Sequence, residues 1–296
     1  MKKLTYCLIF LLLFYASCGR ETTEIPHTVI YKRDLQGEIL TATRPDGGTR
    51  LRFHAKVIAD TVYDDSGRVR MAPDNREFLE KVIDPAVRPH LDELAALSPQ
   101  EIINELTLYT FRTFQHYFGT SFYRWGGDIF DLDDPQPYGR SARKRYGLDC
   151  SGFVTAPYDL AVYFGLLTPA QALFSSAGYK RYCETTGFKD GGGLDGGPNR
   201  YRPDTRELYR LGREVLRVEK GGRPTTAEIA RLRPGDIAGR NGHFGIIVFI
   251  GGEAWYLESG GRVVPRAGGK PVKAADALEK FATNRYVTVR RCLETP

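Results

Sequence analysis

The chain has 296 residues, of which 42% are hydrophobic, 26% charged and 12% aromatic, a balance that supports a sizeable core and excludes wholesale disorder. Its 42 Lys and Arg against 36 Asp and Glu leave a net charge of +6, too mild and too evenly spread for a nucleic-acid binder. Glycine (32) and proline (17) are plentiful, yet no collagen-like period, long linker or internal repeat stands out.

Residues 1–17 have the layout of a bacterial export signal: Lys2 and Lys3, an apolar run over 8–14, then small residues. The run is too short to span a bilayer as a mature helix, and no later stretch is long and apolar enough. Tyr15-Ala16-Ser17-Cys18 resembles a lipobox, with Tyr15 where Leu is usual. On that reading Cys18 becomes the lipidated N-terminus and anchors the protein to a membrane of the cell envelope. The alternative is ordinary cleavage after Cys18 and a soluble secreted product. Cys7 leaves with the leader, so Cys150, Cys183 and Cys292 remain in an oxidising compartment. Either Cys183 and Cys292 pair and one thiol is kept for chemistry, or all three stay unpaired. Unpaired buried thiols are the expectation adopted.

Residues 18–97 read as a tether and an N-terminal region. β-type stretches at 28–31, 51–54 and 57–63 are separated by turn signals, Pro45-Asp-Gly-Gly and Asp64-Asp-Ser-Gly, and a helical stretch follows over 75–97. Residues 98–296 form the main domain. Ser98-Pro99-Gln100-Glu101 marks a helix start, with Ser98 as N-cap, Pro99 in the first turn and Glu101 closing a capping box. Ile103, Leu106, Thr110, Phe114 and Phe118 share one face, and Gly119 ends the helix. The last third changes period: 243–252 is a near-continuous apolar run, with further strands at 254–258 and 286–290. The first two predict an antiparallel hairpin. Helices first and strands last predict an α+β domain.

Tyr146-Gly-Leu-Asp149-Cys150-Ser151-Gly152-Phe153-Val154 is the most informative stretch. Phe153, Val154, Tyr158, Ala161 and Val162 recur at helical spacing and place Cys150 at a helix N-terminus. There, unpaired N–H groups favour an anion, which predicts a lowered thiol pKa and a place for an oxyanion. Pro157 predicts a kink or a short first turn. A nucleophilic cysteine needs a base. Of the histidines at 27, 54, 90, 116 and 243, only His243 opens an apolar strand, preceded by the turn Pro234-Gly235-Asp236.

These blocks resemble the NlpC family of cell-wall cysteine peptidases, a branch of the papain-like fold. The chain has Gly119-Thr-Ser-Phe-Tyr123-Arg-Trp125-Gly-Gly127, then Asp149-Cys150-Ser151-Gly152-Phe153, then Pro234-Gly235-Asp236 and His243-Phe-Gly-Ile246. Four separated blocks in family order carry the resemblance, which covers 98–292. It implies a nucleophile helix packed on an antiparallel sheet, Cys150 as nucleophile and His243 as base. It further implies Tyr123 near the thiolate, Asp149 and Ser151 touching substrate, and Trp125 as a packing residue. Glu258 is the chosen third residue, accepting from the imidazole, although a strict count along the strand falls on Leu257.

The implied activity is hydrolysis of an amide in the peptidoglycan stem peptide, between γ-D-glutamate and diaminopimelate. The alternatives are N-acetylmuramoyl-L-alanine amidase action on the same core, and a non-catalytic peptidoglycan-binding lipoprotein. Arg143, Lys144, Arg145, Arg200 and Arg202 are available to meet substrate carboxylates. No cofactor is expected, and no Cys/His cluster has metal-ligand spacing. Two segments, 128–147 and 184–223, are longer than the family needs. The first carries Asp128, Asp131, Asp133 and Asp134, read as a solvated loop and not a Ca²⁺ site. The second holds a flexible stretch at 191–197 and a helix expected over 204–218.

Overall fold

In the computed structural model of this chain, the described residues are 29–32, 39–42, 79–118, 122–123, 127–129, 147–188, 202–260 and 271–293. The expected leader, Cys18, Trp125, the aspartates at 131–134, the basic run 143–145, Arg200 and the glycine-rich 191–197 all lie outside them. Strands β1 (Val29–Lys32) and β2 (Ile39–Ala42) pair as an antiparallel ribbon.

The stretch expected to be helical becomes four short helical segments, Leu79–Ile83, Asp84–Val87, Arg88–His90 and Leu91–Ala95. Pro85 and Pro89 explain the breaks, since neither carries an N–H to continue the ladder. Leu79, Val82, Ile83, Val87 and Leu94 join the same core as the residues after 98, so packing continues across the 97/98 boundary.

Helix α1 (Pro99–Phe118) starts as its capping box predicts: Glu101 accepts from the Ser98 N–H at 3.0 Å, and Ser98 Oγ from the Glu101 N–H at 3.4 Å. Its burial exceeds one face, because Ile102, Leu108 and Phe111 are buried as well as Ile103, Leu106 and Phe114. Helix α2 (Cys150–Tyr163) runs through Pro157 as one element, buried from Cys150 to Ala161. The first turn is therefore not cut short. Helix α3 (Ser176–Thr186) and the one-turn α4 (Thr205–Leu208) follow.

The helix expected over 204–218 is corrected. It stops after α4, and residues 213–218 form strand β3 (Arg213–Val218). Gly212 stands between them at φ +68°, its Cα so close to the Arg291 carbonyl that a Cβ would lie 2.6 Å from that oxygen. Only glycine meets both demands without strain.

After a turn of helix, α5 (Thr226–Ile229), come β4 (Ile237–Arg240), β5 (His243–Ile250), β6 (Glu253–Leu257), β7 (Val272–Lys273), α6 (Ala274–Ala282) and β8 (Val287–Arg291). With β3 they make a six-stranded antiparallel sheet in the order β3-β8-β4-β5-β6-β7. The β5–β6 hairpin turns on Gly251 and Gly252, at φ +61° and +83°.

The sheet is covered on both faces. Phe244, Ile246, Val248 and Ile250 join the core shared with α1 and α2, and Ile247 joins the one under α6. Burial on both sides is why β5 reads as a continuous apolar run without alternation. The fold is thus α+β, with helices on both faces of an antiparallel sheet. Among the described residues, no helix is long and apolar enough to cross a membrane.

Candidate active site

Two of the other three sequence blocks are tied to the Cys150 segment, one by main-chain bonds and one through a side chain. Leu148 N–H donates to the Phe122 carbonyl at 3.0 Å and Asp149 N–H to the Gly127 carbonyl at 3.1 Å, with Tyr123 and Leu148 bridged in parallel. The Tyr158 hydroxyl on α2 donates to the Gly235 carbonyl at 2.5 Å. Gly235 lies at φ +85°, and a Cβ there would meet the Tyr158 oxygen at 2.9 Å, so this position also requires glycine. The neighbouring Asp236 is buried and accepts from Arg291 Nε and Nη2, both at 2.7 Å. The Pro-Gly-Asp turn is therefore structural. It also continues the β4–β5 ladder, with Gly235 N–H donating to the Ile247 carbonyl and Ile247 N–H to that of Asp236. Asn104 of α1 does the same at Phe249, donating to its carbonyl at 3.2 Å and accepting from its N–H at 2.7 Å.

At the head of α2, Asp149 is the N-cap and accepts from the Gly152 N–H at 2.6 Å and from the Ser151 hydroxyl at 2.8 Å. Arg202 grips the same carboxylate with both terminal nitrogens, at 3.1 and 3.0 Å, donates to the Gly127 carbonyl at 3.1 Å, and approaches Asp128 at 3.7 Å. Burial works against the Arg202 charge, but Asp149 and Asp128 outweigh it and its pKa is raised. Gly152 makes room for this arrangement, since a Cβ would sit 2.0 Å from the Gly127 oxygen and 2.8 Å from the guanidinium.

Asp149 and Ser151 are buried and bonded to each other, with Asp149 capping the helix. Arg202, available in sequence for substrate carboxylates, is engaged inside the fold with Asp149 and Asp128. Asp128 is buried beside Arg202 and does not belong to a solvated loop.

Cys150 retains 8% exposure. Burial pushes its thiol up to about 12, the Asp149 charge adds to this, and the main chain of Phe244, Arg202 and the Ser151 main chain pull the other way. This direction is opposite to the lowering expected of a helix N-terminus, and loss of solvation is its largest cause. The Phe244 contact places the sulfur beside the residue that follows His243.

His243, at the start of β5, is 4% exposed, and its ring packs near that of Phe281 on α6, with centroids 5.9 Å apart. Its Nε2 lies 2.5 Å from Glu258 Oε2, and the Tyr256 hydroxyl donates to the same oxygen at 3.1 Å. Glu258 follows the last residue of β6. Leu257 pairs with Ile246 and joins the α1–α2 core, so it faces away from the imidazole. A Cβ on Gly245 would lie 2.4 Å from the Tyr256 hydroxyl, so the missing side chain is what lets this tyrosine lie across β5.

The next residues close the site. The Ser259 hydroxyl donates to the Leu148 carbonyl at 2.5 Å, and a Cβ on Gly260 would lie 3.0 Å from the Tyr123 ring and 3.6 Å from His243 Cε1. Cys150, His243, Glu258 and Tyr123 are thus brought to one end of the sheet.

Sequence reasoning missed the roles of Tyr256 and Arg202. Tyr256 was legible, since it stands two residues before Glu258 and shares its side of the strand. Arg202 had no local signal, as it reaches Asp149 from 53 residues away. Cys150, Cys183 and Cys292 are free thiols. Among the described residues, no group of His, Cys, Asp and Glu would hold a metal ion. A scan against family models found no match for this chain, and searches of curated proteins and of solved structures found none either.

Proposed function

We propose that this chain is a papain-like, NlpC-type cysteine peptidase, carried as a lipoprotein on Cys18 in the cell envelope. Its substrate is an amide of the peptidoglycan stem peptide, the bond between γ-D-glutamate and diaminopimelate. The observation that carries the reading is the 2.5 Å contact of His243 Nε2 with Glu258, at a strand start whose next residue touches the Cys150 sulfur.

Glu258 accepts from Nε2–H and so leaves Nδ1 as the basic nitrogen. The Cys150 proton passes to Nδ1 as the sulfur attacks the amide carbon and the C–S bond forms. Of the first-turn amides, Gly152 donates to Asp149 and Ser151 bears on the sulfur, which assigns the oxyanion to the amide of Cys150. Collapse breaks the C–N bond, and the amine leaves with the proton held at Nδ1. Water then hydrolyses the thioester, with His243 again taking the proton.

The test is release of new products from muropeptides by the chain lacking residues 1–17, with Cys150→Ala beside it. Wild type alone is expected to cleave. Identical products from both forms, or none from either, would overturn the reading. The deep burial of Cys150 favours one rival, a peptidoglycan-binding lipoprotein without turnover, for which both forms bind and neither cleaves.

A further inference from the structure

The outer side of the hairpin that delivers His243 carries a cavity of about 370 Å³, within the size range of small-ligand sites. Four of its lining residues are arginines, Arg206, Arg210, Arg240 and Arg285, joined by Asn241, and none is acidic. Arg206 is matched by Asp204 at 3.0 Å. Among the described residues, Arg210, Arg240 and Arg285 make no ion pair, and positive side chains outnumber negative ones along this lining. Its aromatic side is Tyr209 and Tyr286, whose hydroxyls meet and whose rings are backed by Arg290 and Arg217.

The cavity adjoins the candidate site through covalent and packed connections. Arg240 is the cross-strand partner of His243, and its guanidinium stands 6.0 Å from the Phe281 ring that also lies beside the imidazole. Asn241 and Gly242 form the turn between β4 and β5, and the Gly242 N–H donates to Thr205 at the start of α4, the element that supplies Arg206.

We propose that this cavity is an anion-binding subsite that holds the carboxylates of a peptide whose scissile amide lies at Cys150 and His243. Guanidinium groups recognise carboxylates through paired, charge-assisted hydrogen bonds, and several converging arginines select a ligand with more than one such group. The proposal rests on the peptidase reading and names how the substrate is held. The arginines that substrate recognition requires are then supplied by this cavity, while Arg202 stays inside the fold.

Binding, not turnover, tests it. The full chain in detergent, carrying Cys150→Ala, is titrated calorimetrically with a γ-D-glutamyl-diaminopimelate peptide and with the same peptide amidated at its free carboxyl groups. The titrations are repeated with Arg210→Gln and Arg285→Gln together, two exposed positions. The free acid is expected to bind, with Kd raised at least about tenfold by either the double substitution or amidation, the loss of one charge-assisted hydrogen bond. The inference is overturned if the peptide does not bind, if the double variant keeps its Kd with an unchanged melting temperature, or if inorganic phosphate binds as tightly as the peptide. Failure of the peptidase reading registers separately, as absent cleavage by wild type.

Discussion

Glu258 Oε2 is the meeting point of the His243 imidazole and the Tyr256 hydroxyl, and on the proposed mechanism it keeps the ring proton on Nε2. Glu258→Gln keeps the size and loses the charge, so the imidazolium formed during attack is no longer stabilised. On the proposed mechanism, kcat on muropeptides falls by about 10²–10⁴-fold while substrate Kd stays within about twofold. Steady-state kinetics beside calorimetric binding check this, and an unchanged kcat removes Glu258 from the mechanism. Of these residues, Cys150 and His243 stood out in the sequence because each opens an element. Choosing between Leu257 and Glu258 needed the sheet. Leu257 faces the core under α2, and Tyr256 and Glu258 share the other side.

The head of α2 depends on a cation from a distant segment. Arg202→Met removes a charge that opposes two buried carboxylates, Asp149 and Asp128, and is expected to cost about 3–5 kcal/mol in urea unfolding. A loss under about 1 kcal/mol would show that the pair does not pin the helix. Helix α4 offers a pH test. Burial first, and then the Asp204 carboxylate, push Glu207 up to about 7 from an ordinary 4.5. The folded state then holds this proton more tightly than the unfolded chain. The stabilisation is full below pH 4.5 and is lost as pH rises through 7. The urea midpoint of wild type should therefore fall relative to that of Glu207→Gln as pH rises from 4.5 to 7, and a constant difference contradicts the assignment. The misread helix over 204–218 belongs to this scale too. Its first turn is a good local signal, with the capping box of Asp204 and Glu207 in place. What ends it is tertiary: the crossing of Gly212 by the Arg291 carbonyl and the pairing of β3 with β8.

Across the molecule, the proposed nucleophile comes from a helix on one face of the sheet, and the proposed base and its acceptor come from the start of β5 and the end of the neighbouring β6. The pieces meet because bonds from Tyr158 to Gly235 and from Ser259 to Leu148 fix helix against sheet. Strand order was not legible in the sequence, since β8 enters between β3 and β4 from the far end of the chain. The α+β class was, because apolar period changes from helix to strand along the chain.

The central claim is that the imidazole of His243 takes the proton of a thiol whose own surroundings push its pKa up to about 12. The most direct measurement is the rate of iodoacetamide labelling of Cys150 against pH, followed by peptide mass spectrometry, in wild type and in His243→Ala. The account predicts a plateau near neutral pH in wild type, at least about tenfold above the variant, whose rate keeps climbing toward high pH as an unassisted buried thiol must. Superimposable profiles in the two proteins, both rising without a plateau, would contradict it.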